Sequence, residues 1–147
     1  MARNVFFSFD YRFVWKVNQI RSIPNITGSA AAGFVDASLW EESKKKNDAE
    51  IKKLIDSALH QTSVTVVLVN YGTANRKFID YEINQSIDRG NGLVAVQIHD
   101  LKDNNGKIGS PGAIPTAITG AGFKAYKYVN TEKLSDWIEE AAKIAGK

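Results

Sequence analysis

The chain has 147 residues, 44% of them hydrophobic and 24% charged, which predicts one soluble domain over residues 1–147 with a single core. It has no cysteine, so disulfides and thiolate sites are excluded, and its two histidines, His60 and His99, are far apart in the sequence, so a transition-metal centre is not expected. The net charge of +3 with one dense basic run, Lys44–Lys46, does not favour a nucleic-acid surface.

No segment resembles a signal peptide, and no apolar run approaches the roughly 18 residues that a membrane span needs. The sequence therefore predicts a cytoplasmic protein without a membrane partner. The first predicted element is a buried strand, Asn4–Tyr11, which is rich in aromatic and branched residues. A helix follows over Phe13–Ile23 and ends at Pro24. A second strand is predicted in "GFVDASLW", residues 33–40, ending near Asp36.

Helices and strands alternate through the middle of the chain. A second helix is predicted with Asp48 as its N-cap and with apolar residues at helical spacing up to Leu59. The run Ser63–Gly72 carries no charge, which is typical of a central parallel strand covered on both faces. A third helix is predicted from a cap at Thr73 or Asn75 to a stop at Gly90.

The last third of the chain holds two strands and a helix separated by an irregular segment. A fourth strand is predicted over Gly92–Leu101, a fifth in "KAYKYV" and a final helix in "TEKLSDWIEEAAKIAGK". Between the fourth and fifth strands, residues 102–122 contain glycines and prolines without periodicity and are predicted to be a long loop.

This alternation predicts an α/β fold of the flavodoxin-like type, a three-layer arrangement with a five-stranded parallel sheet and helices on both faces. Ligands of such sheets bind beyond the carboxyl ends of the strands. The candidate segments are therefore those that follow each strand: residues 8–12, 36–40, 70–76 and the stretch after His99.

One residue of the third helix does not fit an ordinary amphipathic pattern. With about 100° of rotation per residue, Glu82 lies between Phe78 and Ile79 on the apolar arc, with Ser86 beside it. A buried carboxylate needs a partner, a raised pKa or a cleft to face. Two interpretations follow: a carboxylate at the rim that pairs with Arg76 or Lys77, or a catalytic glutamate in a cleft at the strand ends.

Two known uses of this fold are excluded by the residues at the ends of predicted strands. A phosphoacceptor domain needs an aspartate at the end of the third strand, where this chain has Asn70. A flavin-binding flavodoxin needs a hydroxyl-rich loop after the first strand, where this chain has "SFDYRF".

The block "TSVTVVLV", continued by "TANRKFIDYEI", resembles the TIR-like domain proteins of bacterial Thoeris anti-phage systems, and the similarity extends from about Val5 to about Lys107. The resemblance implies a TIR fold and an enzyme that cleaves NAD at the nicotinamide–ribose bond. It also implies a catalytic glutamate in an aromatic-x-x-x-Glu pattern, which Phe78 and Glu82 match. The implied product is a signalling nucleotide, a cyclic ADP-ribose isomer or, if water enters the site, ADP-ribose.

The resemblance and the strand-end positions together predict a substrate site for NAD without a further cofactor or metal. In this site Glu82 is expected to stabilise the ribosyl oxocarbenium ion, and Arg76 is expected to contact the diphosphate. Asp10 stands where many relatives have histidine. The aromatic candidates for stacking on the bases, with core packing as the alternative, are Phe7, Phe9, Tyr11 and Trp40. The candidates for contacting ribose or phosphate are Ser8, Asp36 and Ser38.

The implied partners are a separate effector protein that recognises the product, a phage-derived trigger and further copies of the chain. Two rival functions stay open. A non-enzymatic TIR-like interaction module would use the same fold for assembly, and a Glu82 paired with Arg76 or Lys77 would favour it. An enzyme like the nucleoside deoxyribosyltransferases would use a glutamate of the same fold as a nucleophile and would ignore NAD.

Overall fold

Four parallel strands form the sheet in the computed structural model, which describes residues 5–9, 14–21, 47–60, 62–73 and 76–147. They are β1 (Val5–Phe9), β2 (Val64–Val69), β3 (Gly92–Gln97) and β4 (Lys124–Lys127), and they neighbour one another in that order. The predicted parallel sheet is confirmed. Five strands were predicted and four are described, because the predicted strand at residues 33–40 lies outside the described residues.

Within the described ranges, five helices accompany these strands: α1 (Val14–Arg21), α2 (Asp48–Leu59), α3 (Lys77–Asp88), α4 (Thr116–Gly120) and α5 (Thr131–Ile144). The short helix α4 was not predicted, since it lies in the segment that was expected to be a loop throughout. Residues 98–115, the β3–α4 loop, have no regular element and include most of the predicted loop.

The starts of two helices differ from the prediction. Helix α2 is capped by Asn47 rather than Asp48, because the Asn47 side chain accepts a hydrogen bond from the backbone N–H of Glu50. Helix α3 begins only at Lys77, after an extended Arg76 without a capping side chain. The Thr73 hydroxyl oxygen instead accepts a bond from the Asn70 backbone N–H, which closes the turn after β2.

The helices cover both faces of the sheet, as predicted. Side chains of α1 and α5, among them Val17, Ile20 and Leu134, pack with Phe7 and Phe9 of β1 in one apolar cluster. Helices α2, α3 and α4 supply the apolar side chains of two clusters on the opposite face. Because alternate residues of a strand point to opposite faces, Phe6 and Ser8 lie on the α3 face of β1.

The parallel register brings the carboxyl ends of the strands to one edge. Ser8 of β1 lies opposite Val67 of β2, which lies opposite Ala95 of β3. All residues of β1 and β2 are buried, which explains their nearly uninterrupted apolar sequence. In the described ranges, no helix is both long and apolar enough to cross a bilayer.

Candidate active site

Glu82 lies on the buried face of α3 and is 1% exposed. Its buried companions on that face are Phe78, Ile79, Ile83 and Ser86, while Ile87, which the helical pattern also placed on the apolar arc, is partly buried. The predicted inward orientation of the carboxylate is therefore confirmed. Phe78, the aromatic residue of the pattern, packs against Phe6 and the apolar side chains of α2, and it holds the start of α3 against β1.

The carboxylate of Glu82 is hydrogen-bonded to β1. The Ser8 hydroxyl donates to Glu82 Oε1 over 2.8 Å, and both side chains are buried. A hydrogen bond of this kind contributes about 0.5–1.5 kcal/mol between neutral groups and about 1.5–3 kcal/mol when the acceptor is charged. Since Ser8 is the penultimate residue of β1, this bond places the carboxyl group near the edge where the strands end.

A second polar contact fixes the backbone of α3 at the same level. The Ser86 hydroxyl donates to the Glu82 carbonyl oxygen at 2.7 Å. A hydroxyl carries one proton, so the neighbouring Thr65 hydroxyl of β2, 2.7 Å away, is the donor to Ser86 Oγ. Thr65 and Ser86 are both buried, and together they hold the turn of α3 that carries Glu82 against the central strand.

The outer flank of α3 is attached to α2. The Lys77 ammonium pairs with Asp48 at 2.7 Å, and the Tyr81 hydroxyl donates to both oxygens of Asp56 at 2.9 and 3.0 Å. Burial, and next the bond to Asp56, raise the pKa of Tyr81. Lys77 thus pairs with Asp48, so it is not the partner that the rim interpretation assigned to Glu82.

The structure separates two of the predicted aromatic contacts from Glu82. Phe7 and Phe9 are 1% and 2% exposed and belong to the core cluster on the α1 and α5 face, opposite the face that carries Ser8. In this arrangement neither ring face is open to a substrate beside Glu82, and we assign both residues to the core. Core packing was the alternative named for them from the sequence.

Arg76 lies directly before α3, as expected, and is partly exposed. The other predicted contacts lie outside the described residues: Asp10, Tyr11, Asp36, Ser38 and Trp40. The described part of the site therefore consists of Ser8, Glu82 and the helix start at Arg76. Among the described residues, no group of three potential ligands is placed to hold a metal ion.

A groove of about 440 Å³ lies along another side of α3. It is lined by Asp80, Ile83, Asn84 and residues 113–117 of the β3–α4 loop and α4. Burial raises the pKa of the Asp80 carboxyl. Because Asp80 precedes Glu82 by two residues, it lies about 200° from it around the helix axis, so this groove is separate from the Ser8–Glu82 pair.

Sequence reasoning did not identify Thr65, although the sequence held a signal for it. Thr65 is the one polar residue of "VTVVLV", a strand predicted to be covered on both faces, and a buried hydroxyl needs a partner. Ser86 was placed beside Glu82 by the helical pattern, but its partner on β2 could not be found from spacing along the chain.

The three-layer α/β fold, with a buried glutamate on the helix that follows a central strand, is consistent with a TIR-like domain. The sequence profile of the family described as "Thoeris protein ThsB, TIR-like domain" matches residues 6–103. A protein of Bacillus cereus (strain MSX-D12) named "Putative cyclic ADP-D-ribose synthase ThsB1" is 41% identical over 144 residues, which cover 93% of this chain and 72% of that protein. The chain belongs to the ThsB family of TIR-like Thoeris proteins.

Proposed function

We propose that this protein cleaves NAD at the nicotinamide–ribose bond and converts the remainder into a cyclic ADP-ribose signal in anti-phage defence. The observation that carries the proposal is the Glu82 carboxylate, buried on α3 and bonded to Ser8 near the strand ends. The ThsB membership and the cyclic ADP-ribose synthase name of the Bacillus cereus relative support the same reaction.

The cleavage step requires a negatively charged carboxylate rather than a proton donor. When the bond between the ribose C1 and the nicotinamide nitrogen breaks, its electron pair neutralises the pyridinium ring, and nicotinamide leaves without a proton. Positive charge then develops on the ribosyl carbon and its ring oxygen. A fixed carboxylate stabilises this oxocarbenium ion and contacts the ribose hydroxyls, which is the role proposed for Glu82.

The second half of the reaction decides the product. A hydroxyl of the same nucleotide attacks the ribosyl carbon, loses its proton and closes a cyclic ADP-ribose. If water attacks instead, the product is ADP-ribose. Exclusion of water therefore separates a cyclase from a glycohydrolase, and the cyclase is the reaction that the relative's name supports.

Ser8 acts as a positioning residue in this proposal. Its hydroxyl proton is already donated to Glu82, so a ribose or phosphate oxygen would have to displace the carboxylate to receive it. The Ser8–Glu82 bond holds one carboxylate oxygen and leaves the orientation of the group fixed before the substrate arrives. Such preorganisation is the main source of electrostatic stabilisation of a transition state.

A glutamate that is 1% exposed does not reach substrate without movement of the residues around it. The described arrangement therefore fits a resting state that a phage-derived trigger or assembly with further copies opens. In this scheme the protein works in the cytoplasm, uses NAD as its substrate without another cofactor, and signals to a separate effector protein.

The test is an assay of the purified chain with NAD, in which nicotinamide and the second product are separated by chromatography and identified by mass spectrometry. A cyclic product is lighter than ADP-ribose by one water. The Glu82→Gln variant keeps an acceptor for the Ser8 hydroxyl but removes the charge, and we expect nicotinamide release to fall about a hundredfold or more.

Asp80→Asn is the matched control, because it removes an exposed carboxylate two residues away on the same helix. It is expected to keep the activity of the unmodified chain. If the purified chain is silent, the assay is repeated in lysate from infected cells. Silence there as well, or equal activity of the Glu82→Gln variant, contradicts the proposal and favours the non-enzymatic interaction module.

A further inference from the structure

The contact between β2 and α3 contains a pair of buried hydroxyls, Thr65 and Ser86, which we call the hydroxyl pair. The two oxygens are 2.7 Å apart, and both side chains are 0% exposed. Ser86 donates its proton to the Glu82 carbonyl oxygen at 2.7 Å, so Thr65 is the donor to Ser86. The hydroxyl pair therefore connects the central strand to the main chain of Glu82.

Two apolar side chains would fill this position at no greater cost. The other five residues of β2 are valine or leucine, and Val67 and Val69 pack with Ile79 and Ile83 of α3. Replacing both partners of a buried hydrogen bond by apolar groups of similar shape is nearly neutral or stabilising. The hydroxyl pair thus adds little net stability. It adds direction, because apolar contacts tolerate sliding and rotation of a helix, whereas a satisfied polar network specifies one arrangement.

The register of the sheet places the hydroxyl pair one step below the bond between Ser8 and Glu82. Ser8 lies opposite Val67, and Thr65 precedes Val67 by two residues, so Ser8 and Thr65 differ in level by about 6.6 Å along the strands. Glu82 and Ser86 are four residues apart, which is about 6 Å along the axis of α3. The two spacings agree, so α3 is attached to β1 and β2 at two matching points.

Two points of attachment restrict a helix more than one point does. With the Ser8 bond alone, α3 is free to turn about that bond, and the carboxylate changes its direction as the helix turns. The second attachment acts on the backbone carbonyl of Glu82 itself. The side chain and the main chain of the same residue are therefore both fixed, the first by β1 and the second by β2.

We propose that Thr65, acting through Ser86, is a positioning residue that sets the location and direction of the Glu82 carboxylate. Thr65 is fully buried and lies below the level of Ser8, so its effect on the reaction is exerted through Glu82 and not through contact with substrate. The catalytic consequence rests on the proposed function, and it is a faster cleavage step with unchanged binding of NAD. The geometric claim does not depend on NAD.

The informative variant combines Thr65→Val with Ser86→Ala, since both hydroxyls are removed together and neither is left without its partner. We expect its unfolding midpoint to stay equal or rise. In the NAD assay, under the condition in which the unmodified chain is active, we expect kcat for nicotinamide release to fall at least about tenfold with KM unchanged. Thr65→Ser keeps the hydroxyl and loses a buried methyl group. It should show the reverse, with a lower midpoint and kcat within about twofold of the unmodified chain.

Thr62→Val is the matched control, because it makes the same change at a bonded hydroxyl that does not connect to Glu82. The Thr62 hydroxyl donates to the Leu59 carbonyl oxygen at 2.8 Å and accepts from Asn91 at 2.9 Å. This variant should lower the midpoint and leave kcat unchanged. If kcat follows the unfolding midpoint across all these variants, the hydroxyl pair has a structural role alone and the proposal is overturned.

A measurement without NAD separates this inference from the proposed function. The ¹³C resonance of the Glu82 carboxyl carbon is assigned by its absence from Glu82→Gln. It should move in the combined variant and keep its position in Thr65→Ser and Thr62→Val. A resonance that stays in place in the combined variant overturns the positioning role, even if the chain cleaves NAD. A resonance that moves in a chain that never releases nicotinamide supports the positioning role and contradicts the proposed function alone.

Discussion

The two faces of the sheet carry buried polar groups that differ in how completely they are satisfied. On the α3 face, Thr65 donates to Ser86, which donates to the Glu82 carbonyl, while Ser8 donates to the Glu82 carboxylate. On the α1 face, Lys16 and Asn70 keep donors without described partners. The residues of the first group lie on strands and a helix, whereas Asn70 of the second group and His99, whose carbonyl oxygen accepts from Lys16, lie in the segments that follow β2 and β3.

This difference shows which buried polar group has its hydrogen bonds satisfied within the protein. A fully bonded buried network fixes one geometry, which is what a catalytic carboxylate requires. A buried polar group with unused donors costs free energy instead of fixing a geometry. The first two predictions below test this contrast, the third concerns a bond at an exposed edge, and the change expected to cost the most stability comes first.

The largest expected effect on stability comes from Gly112→Ala in the β3–α4 loop. A Cβ there would lie 2.0 Å from the Asn70 carbonyl oxygen and 2.6 Å from its carbonyl carbon, so backbone must move. We expect a loss of about 3 kcal/mol in the free energy of unfolding, measured by denaturant titration. Gly120→Ala is the control, since its Cβ would meet nothing within 4 Å. Equal free energies of unfolding for the two variants would show that Gly112 does not pack against the Asn70 carbonyl group.

Ser8→Ala is expected to have the next largest effect. It removes the described donor to a buried carboxylate, so the free energy of unfolding should fall by about 2 kcal/mol. Nicotinamide release should fall by at least about tenfold, because Glu82 loses its fixed orientation. In combination with Glu82→Gln the two losses should not add. Additive losses would contradict the positioning role. Ser57→Ala, an exposed change on α2, controls for loss of a hydroxyl.

The smallest effect is expected at an exposed edge, where Tyr126 stacks on Trp137 at 4.4 Å and donates its hydroxyl to Glu140 at 2.5 Å. This hydrogen bond, more than burial, raises the pKa of Tyr126 to about 12. The same bond is the main reason why the pKa of Glu140 is lowered. Since Glu140 is partly exposed, we expect Tyr126→Phe to cost only about 0.5 kcal/mol.

The pH dependence of that cost follows from the two shifts. A lowered carboxyl pKa stabilises the fold above its ordinary value of 4.5, and this contribution is lost as pH falls through the folded value. A raised tyrosine pKa stabilises the fold below its ordinary value of 10.0, and this contribution is lost as pH rises toward about 12. The difference between the unmodified chain and Tyr126→Phe should therefore be greatest between these two ordinary values. A difference that is constant across pH would contradict the bond.

Much of this molecule could be predicted from local patterns. The order of strands and helices, the uncharged central strand and the inward orientation of Glu82 follow from periodicity, because a residue three or four positions away on a helix shares its face. The resemblance to Thoeris TIR-like proteins then gave Glu82 a chemical role, and family membership is confirmed by the profile match over residues 6–103.

The helix starts were less predictable, for a local reason. Several residues near α2 and α3 are good caps in isolation, and the backbone of the preceding turn decides which one is used. Thr73 was a reasonable cap for α3, but its hydroxyl closes the turn after β2 instead. Phe7 and Phe9 illustrate another kind of ambiguity, since alternation places both on one face but does not say which face carries the site.

The sequence by itself determined the elements of this protein and the residue that stands out among them, because secondary-structure periodicity is a property of near neighbours in the chain. Only the tertiary structure decided which side chains meet. Ser8 and Glu82 are 74 positions apart, and Lys16 and His99 are 83 apart. Contacts at such separations depend on the register of the strands and the packing of the helices, which no local pattern specifies.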